Sequence, residues 1–155
     1  MPETDAASTD FASTSLARAA EVPVPEADAI AGRFPLTANP SPVAEDERKA
    51  ILAGLHFGDS FTDHMAHARW KQGEGWGDYG VIPYGNLSLS PATAVLHYGQ
   101  EIFEGIKAYR HDDGSVWTFR PRYNAARLNA SARRLALPEL SEEDFVASLV
   151  DLVRA

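Results

Sequence analysis

The sequence predicts an α+β chain in which strands and a hairpin are followed by two helices, with no internal repeat. Three observations carry that expectation. All three Trp and all five Tyr lie beyond residue 57, so the core is expected to begin there. Asp112-Asp113-Gly114 stands between two runs of strand-forming residues, which signals a hairpin. Phe145, Leu149, Leu152 and Val153 then recur at helical spacing.

In chain order, residues 1–33 are rich in Ala, Pro, Ser, Thr and acid and hold one aromatic before Arg33, Phe11. Such a segment buries too little apolar area to offset an ordering entropy of roughly 1–2 kcal/mol per residue. A disordered tail is expected, with a short helix over Phe11–Ala20 as the alternative. Residues 34–155 form the expected folded domain. Ser41-Pro42 reads as an N-cap with Pro at the first helical position, Glu45, Asp46 and Glu47 suit the positive helix end, and Gly54 suits its stop. A strand is expected over Phe61–Trp70, a turn at Gly73, Gly75 and Gly77, and short strands over Val81–Tyr84 and Asn86–Leu89. Ser90-Pro91 opens a loop or helical turn into Ala94–Phe103. Ile106–Arg110 and Ser115–Phe119 are the hairpin strands. A helix follows over Pro121–Leu135, broken by Pro138. The last helix begins at Ser141, with Asp144 three residues on as in a capping box.

The net charge of −8 works against binding to DNA, RNA or anionic membrane surfaces. No cysteine is present, so disulfides and thiolate chemistry are excluded. No stretch reaches the ~18 apolar residues of a membrane span. The acidic N-terminus, with Glu3, Asp5 and Asp10, resembles neither a secretory signal nor a transit peptide. A soluble cytoplasmic protein is expected.

The charge is unevenly spread. Lys107, Arg110, Arg120, Arg122, Arg127, Arg133 and Arg134 face only Asp112 and Asp113 between residues 107 and 134, a local +5 that leaves −13 elsewhere. Guanidinium groups suit a small anion such as phosphate; a solvated helix face is the plainer alternative. Asp63, His64 and His67 lie close in sequence, but on a strand the two histidines point to opposite faces, so structural roles are favoured over a metal site. The glycines at 73, 75 and 77 lack the Lys-Ser or Lys-Thr of a phosphate loop, and no serine nucleophile elbow is present. The residues by themselves reach an α+β domain with a candidate anion site.

Four blocks extend that reading. Phe57-Gly58-Asp59-Ser60-Phe61-Thr62-Asp63-His64-Met65 comes first, then Leu96-His97-Tyr98-Gly99-Gln100-Glu101-Ile102-Phe103-Glu104-Gly105-Ile106-Lys107-Ala108-Tyr109. Phe119-Arg120-Pro121 follows, and then Asn124-Ala125-Ala126-Arg127-Leu128 with Ser131-Ala132-Arg133-Arg134-Leu135. In this order they resemble the N-terminal part of branched-chain amino-acid aminotransferases, over about residues 34–155.

The resemblance implies the smaller N-terminal domain of the D-amino-acid-aminotransferase-like fold and the cofactor pyridoxal 5'-phosphate. It implies amino-group transfer between Leu, Ile or Val and 2-oxoglutarate, in amino-acid biosynthesis, by a cytoplasmic homodimer. Arg127 matches the arginine that binds the cofactor phosphate. Phe57, Tyr98 and Phe103 match aromatic residues lining the pocket for the substrate side chain; plain core packing is their alternative. The family's Schiff-base lysine and the acid that pairs with the pyridine nitrogen lie in a larger second domain. None of Lys49, Lys71 and Lys107 matches that lysine, so no catalytic residue is assigned and the chain by itself is expected to be an inactive portion. A D-amino-acid aminotransferase and an aminodeoxychorismate lyase are the nearest enzyme alternatives, and the long Phe57–Met65 block speaks against both. A non-catalytic fragment or interaction module that pairs with a full-length subunit is the alternative of a different class.

Overall fold

The computed structural model describes residues 27–56 and 58–155. Its elements are α1 (Ala27–Ile30), α2 (Glu45–Ala53), β1 (His64–Lys71), β2 (Gly75–Pro83), α3 (Val95–Tyr98), β3 (Ala108–Arg110), β4 (Val116–Thr118), α4 (Pro121–Arg134) and α5 (Glu142–Arg154). The architecture is mixed helix and strand with two small antiparallel sheets, β1–β2 and β3–β4. Among the described residues no helix is long and apolar enough to cross a membrane. The chain divides into two compact units.

One unit holds residues 31–88 and 147–155. Its centre is the ribbon β1–β2, in register from His64 opposite Pro83 to Lys71 opposite Gly75. Gly73 (φ 85°) and Gly75 (φ 83°) supply the left-handed backbone that closes the turn. Sequence reasoning divides this ribbon too finely. Gly77 is not in the turn but pairs with Arg69, and Trp76 pairs with Trp70, so β2 runs unbroken through the expected strand at Val81. A bulge interrupts it where Asp78 and Tyr79 stand opposite Ala68 alone. Asp78 takes φ 52°, a conformation Asp tolerates, and its carboxylate lies 3.4 Å from Arg69. Residues 35–37 extend the ribbon in parallel, with the Thr37 amide donating to the Val81 carbonyl at 2.8 Å and the Val81 amide to the Pro35 carbonyl at 3.0 Å. Val81 is fully buried, and Phe34, also buried, meets Tyr79 edge-on at 5.0 Å.

Two other expectations change here. Ser41 and Pro42 do not start a helix: α2 begins at Glu45, with Ala44 as its N-cap. The preceding amides are committed elsewhere, Ser41 donating to Asn39 Oδ1 at 2.9 Å and Val43 to Asp63 Oδ1 at 3.0 Å. Gly54 does end the helix, its amide reaching the Ile51 carbonyl. Residues 86–89 form no strand; they have no ladder partner among the described residues, and Leu87 is exposed.

The expected tail lies mostly outside the described residues, the Phe11–Ala20 helix with it. Its last part, however, is structured. Residues 27–30 form α1, and Ile30 is buried. Beyond it, the Asp151 carboxylate accepts the amides of Gly32 at 2.7 Å and Phe34 at 2.9 Å.

The other unit holds residues 89–146 with α1. Ser90 opens a helical turn as expected, its carbonyl accepting the Thr93 amide and its hydroxyl the Ala92 amide. α3 ends at Gly99 in the left-handed region (φ 57°). The hairpin pairs Tyr109 with Trp117, and Gly114 (φ 83°) turns it. α4 spans nearly the expected range with Pro121 in its first turn; it buries Ala125, Ala126 and Ala132. Small side chains on that face permit close approach of neighbouring backbone. The corner after α4 is closed by Asn129, whose side-chain amide donates to the Leu140 carbonyl at 2.7 Å and accepts the Leu140 amide at 3.1 Å. Ser141 caps α5 as the sequence predicts, its hydroxyl accepting the Asp144 amide at 3.0 Å.

Asp151→Ala removes the acceptor for two backbone amides. It is expected to lower the unfolding free energy by roughly 1–3 kcal/mol, allowing for partial solvent exposure. Urea unfolding measures the loss, and amide exchange at Gly32 and Phe34 should accelerate with it. Unchanged protection at both amides would show that other contacts hold this segment.

Candidate functional site

A hydrogen-bonded charged cluster joins the loop after α3 to one face of α4. Asn124 and Arg127 stand three residues apart on that helix, so they share a face. Both reach Glu104. Arg127 donates through Nε to Oε1 at 2.5 Å and through Nη2 to Oε2 at 2.6 Å, a two-pronged ion pair. Asn124 Nδ2 donates to Glu104 Oε2 at 2.9 Å and to the Gly105 carbonyl at 3.0 Å. The glutamate side chain is 7% exposed and the arginine side chain 60%, so the acid lies beneath and the base toward water. Burial pushes the Glu104 carboxyl up, but the hydrogen bonds from Arg127 and Asn124 and the arginine's charge outweigh it and hold the carboxyl below its ordinary range. Arg127 Nη1 has no hydrogen-bond partner among the described residues.

The local excess of positive charge is reduced by acids that lie outside residues 107–134. Arg127 takes Glu104, Arg133 takes Glu139 at 2.5 Å, and Arg122 approaches Glu142 at 3.4 Å. Arg122 is buried, and its Nε has no hydrogen-bond partner among the described residues. Arg120 lies at the N-cap of α4 in the left-handed region (φ 50°), and its guanidinium stacks 3.6 Å from the centre of the Tyr123 ring. Three of the seven cations are therefore paired with acids, while Lys107, Arg110, Arg120 and Arg134 have no acid partner among the described residues.

The aromatic candidates are placed differently from one another. Phe57 lies outside the described residues. Tyr98, at the end of α3, is 85% exposed, and Phe103 is 91% exposed. Neither side chain is packed in a core among the described residues. Asp63 and His64 serve the backbone: besides Val43, the Asn39 amide donates to His64 Nε2 at 3.1 Å. The His67 ring packs against Gly80, where a Cβ would come within 3.2 Å of Nε2.

Glu104 and Asn124 are the residues sequence reasoning overlooks. Both stand inside the resembling blocks, but Glu104 falls three residues before the basic stretch and so escapes its charge count. The signal that finds it is pairwise: Arg127 needs a counter-ion, and Glu104 precedes a glycine whose carbonyl Asn124 reaches.

No family model matches the chain. Among curated proteins it is 54% identical over 120 residues to "Branched-chain-amino-acid aminotransferase" of Mycolicibacterium smegmatis, covering 77% of this chain and 33% of that protein. It is 56% identical over 112 residues to "Probable branched-chain-amino-acid aminotransferase" of Streptomyces coelicolor, covering 72% and 31%. It is 46% identical over 107 residues to "Branched-chain-amino-acid transaminase 1" of Bacillus subtilis, covering 69% and 30%. The chain thus spans about a third of the length of the curated relatives it matches.

The lowered pKa of Glu104 fixes the sign of a pH effect. A carboxyl depressed in the native state stabilises it above the ordinary glutamate range, and that contribution disappears as pH falls through the native value. Glu104→Gln should therefore melt below the parent near neutrality, with the gap closing in acid. Thermal melts of both proteins from pH 7 downward measure it; a gap independent of pH would show that the charge is not what matters.

Proposed function

The chain is related to the branched-chain-amino-acid aminotransferases, and from that premise we propose that residues 34–155 are the smaller N-terminal domain of such an enzyme, in the D-amino-acid-aminotransferase-like fold. The observation that carries this is the identity of about half the aligned residues to three bacterial relatives. Because those relatives are about three times the aligned length, the proposal assigns the reactive lysine and the pyridine-nitrogen partner to a larger domain outside residues 34–155. The whole enzyme is taken to be a cytoplasmic homodimer that transfers an amino group between Leu, Ile or Val and 2-oxoglutarate, in biosynthesis.

The cofactor in this proposal is pyridoxal 5'-phosphate, which when bound supplies the electron-withdrawing ring that makes amino-group transfer feasible. The chain's residues fit its phosphate at one point. Arg127 faces water and keeps Nη1 unengaged among the described residues, so it can donate to an anion. Glu104, itself held by Asn124, keeps that guanidinium in place. Tyr98 and Phe103, together with Phe57, are the proposed wall for the substrate's apolar side chain. Their aromatic faces contribute by excluding water, at roughly 0.8 kcal/mol per CH₂ covered. The high exposure of Tyr98 and Phe103 supports a wall completed by another part of the enzyme.

Two experiments test the reading. Arg127→Ala should weaken pyridoxal phosphate binding about 10- to 150-fold, the loss of one charge-assisted contact of roughly 1.5–3 kcal/mol. Equal affinity in a fluorescence titration would remove Arg127 from the phosphate site. The 155-residue polypeptide itself should show no transaminase activity, because moving a proton between carbon centres needs a positioned base. Incubation with the cofactor, borohydride reduction and peptide mapping should label no lysine stoichiometrically. Specific labelling of Lys107 with turnover of leucine would overturn the assignment of the lysine to a second domain.

A further inference from the structure

The acid beneath Arg127 has a role that the phosphate reading leaves open. A guanidinium offers two edges to a ligand, and the one formed by Nε and Nη2 is already filled by Glu104 at 2.5 and 2.6 Å. The carboxylate is held in turn: Oε2 also accepts Asn124 Nδ2 at 2.9 Å, and the same amide is tied to the Gly105 carbonyl at 3.0 Å.

We propose that Glu104 is a positioning residue: it holds the Nε–Nη2 edge of Arg127 inward, so that a phosphate is received on the Nη1 side without displacing the carboxylate. This rests on the reading of Arg127 as the phosphate anchor. The alternative geometry has phosphate replacing Glu104 on the Nε–Nη2 edge. That exchange would strip two charge-assisted bonds from a largely buried carboxylate and leave it with one neutral donor. Burying a charge without its partner is strongly unfavourable, whereas a phosphate leaving water gains only what it lost there. The layering agrees, because the ligand arrives from the exposed arginine side, with the guanidinium between it and Glu104. Rigidity adds to this. A long arginine side chain at a water-facing position would otherwise lose rotamer freedom on binding, and here that freedom is already lost. The pair is neutral overall, so selection for phosphate comes from donor direction more than from net charge.

The test uses the whole chain labelled with ¹⁵N-arginine and titrated with inorganic phosphate. The Arg127 Nε–Hε resonance should exchange slowly in the free protein and stay protected at saturation, while the Nη signals shift. Arg127→Ala should abolish phosphate binding. Glu104→Gln, which keeps the volume but cannot accept from all three donors, should weaken it roughly tenfold, as outer-sphere partners do elsewhere. In free Glu104→Gln the Arg127 Nε–Hε resonance should exchange fast while the Leu140 and Asp144 amides keep their protection, an outcome a general packing defect would not give. Loss of Hε protection at saturation makes Glu104 a competitor and overturns the proposal. So does unchanged or tighter phosphate binding by Glu104→Gln while Arg127→Ala remains defective. Undiminished binding by Arg127→Ala, or no phosphate-induced shift at Arg127 in the parent, defeats the anchor reading itself and the proposal with it.

Discussion

Glu104 carries more of this structure's logic than any other side chain. Three nitrogen donors converge on its carboxylate, two from Arg127 and one from Asn124, and they join the loop after α3 to one face of α4. A carboxylate so enclosed remains charged because its partners outweigh its burial. It decides which edge of the Arg127 guanidinium is occupied and which faces water.

The same economy runs through the rest of α4. Arg133 finds Glu139 and Arg122 finds Glu142, both acids belonging to the segment that follows the helix. In these two pairs and that of Arg127 the cation stands on the helix and its counter-ion on a flanking segment, so part of the charge that looks surplus in one window is balanced in space. The Arg122 pair differs from the exposed ones. Its arginine is buried while Glu142 is partly exposed, the contact is long at 3.4 Å, and Arg122 Nε has no partner among the described residues. A buried cation of this kind adds little net stability through its pair, yet removing its partner is costly.

Local signals were legible where a single residue type decides the outcome. Ser141 capping α5, Pro121 opening α4 and Gly114 turning the β3–β4 hairpin all follow from side-chain or backbone chemistry that acts within four residues. Long-range pairing was not legible. Ser41 and Pro42 carry a good helix-start signal, but the amides of Ser41 and Val43 are taken by Asn39 and by Asp63, the latter twenty residues away. Gly77 looks like part of a turn, and only its partner Arg69 makes it strand. For the site, the residue types and blocks pointed to Arg127, whereas Glu104 emerges only when the loop and helix are brought together. The blocks that resemble an aminotransferase named the neighbourhood; distance supplied the wiring.

The β3–β4 hairpin has a consequence for how the polypeptide behaves in bulk. Its directly opposed Tyr109 and Trp117 are both exposed, as are Val116 beside them and Phe119 just beyond, and neither outer strand edge has a partner among the described residues. Sticky aromatic surface next to open backbone is the pattern that draws chains together. What opposes it is a net charge of −8, which keeps like molecules apart over long range. Salt shortens that repulsion to roughly 10 Å at 0.1 M while leaving aromatic attraction intact. Colloidal stability of this polypeptide is therefore electrostatic in origin, and it weakens both with added salt and as pH descends toward the isoelectric point near 5.0.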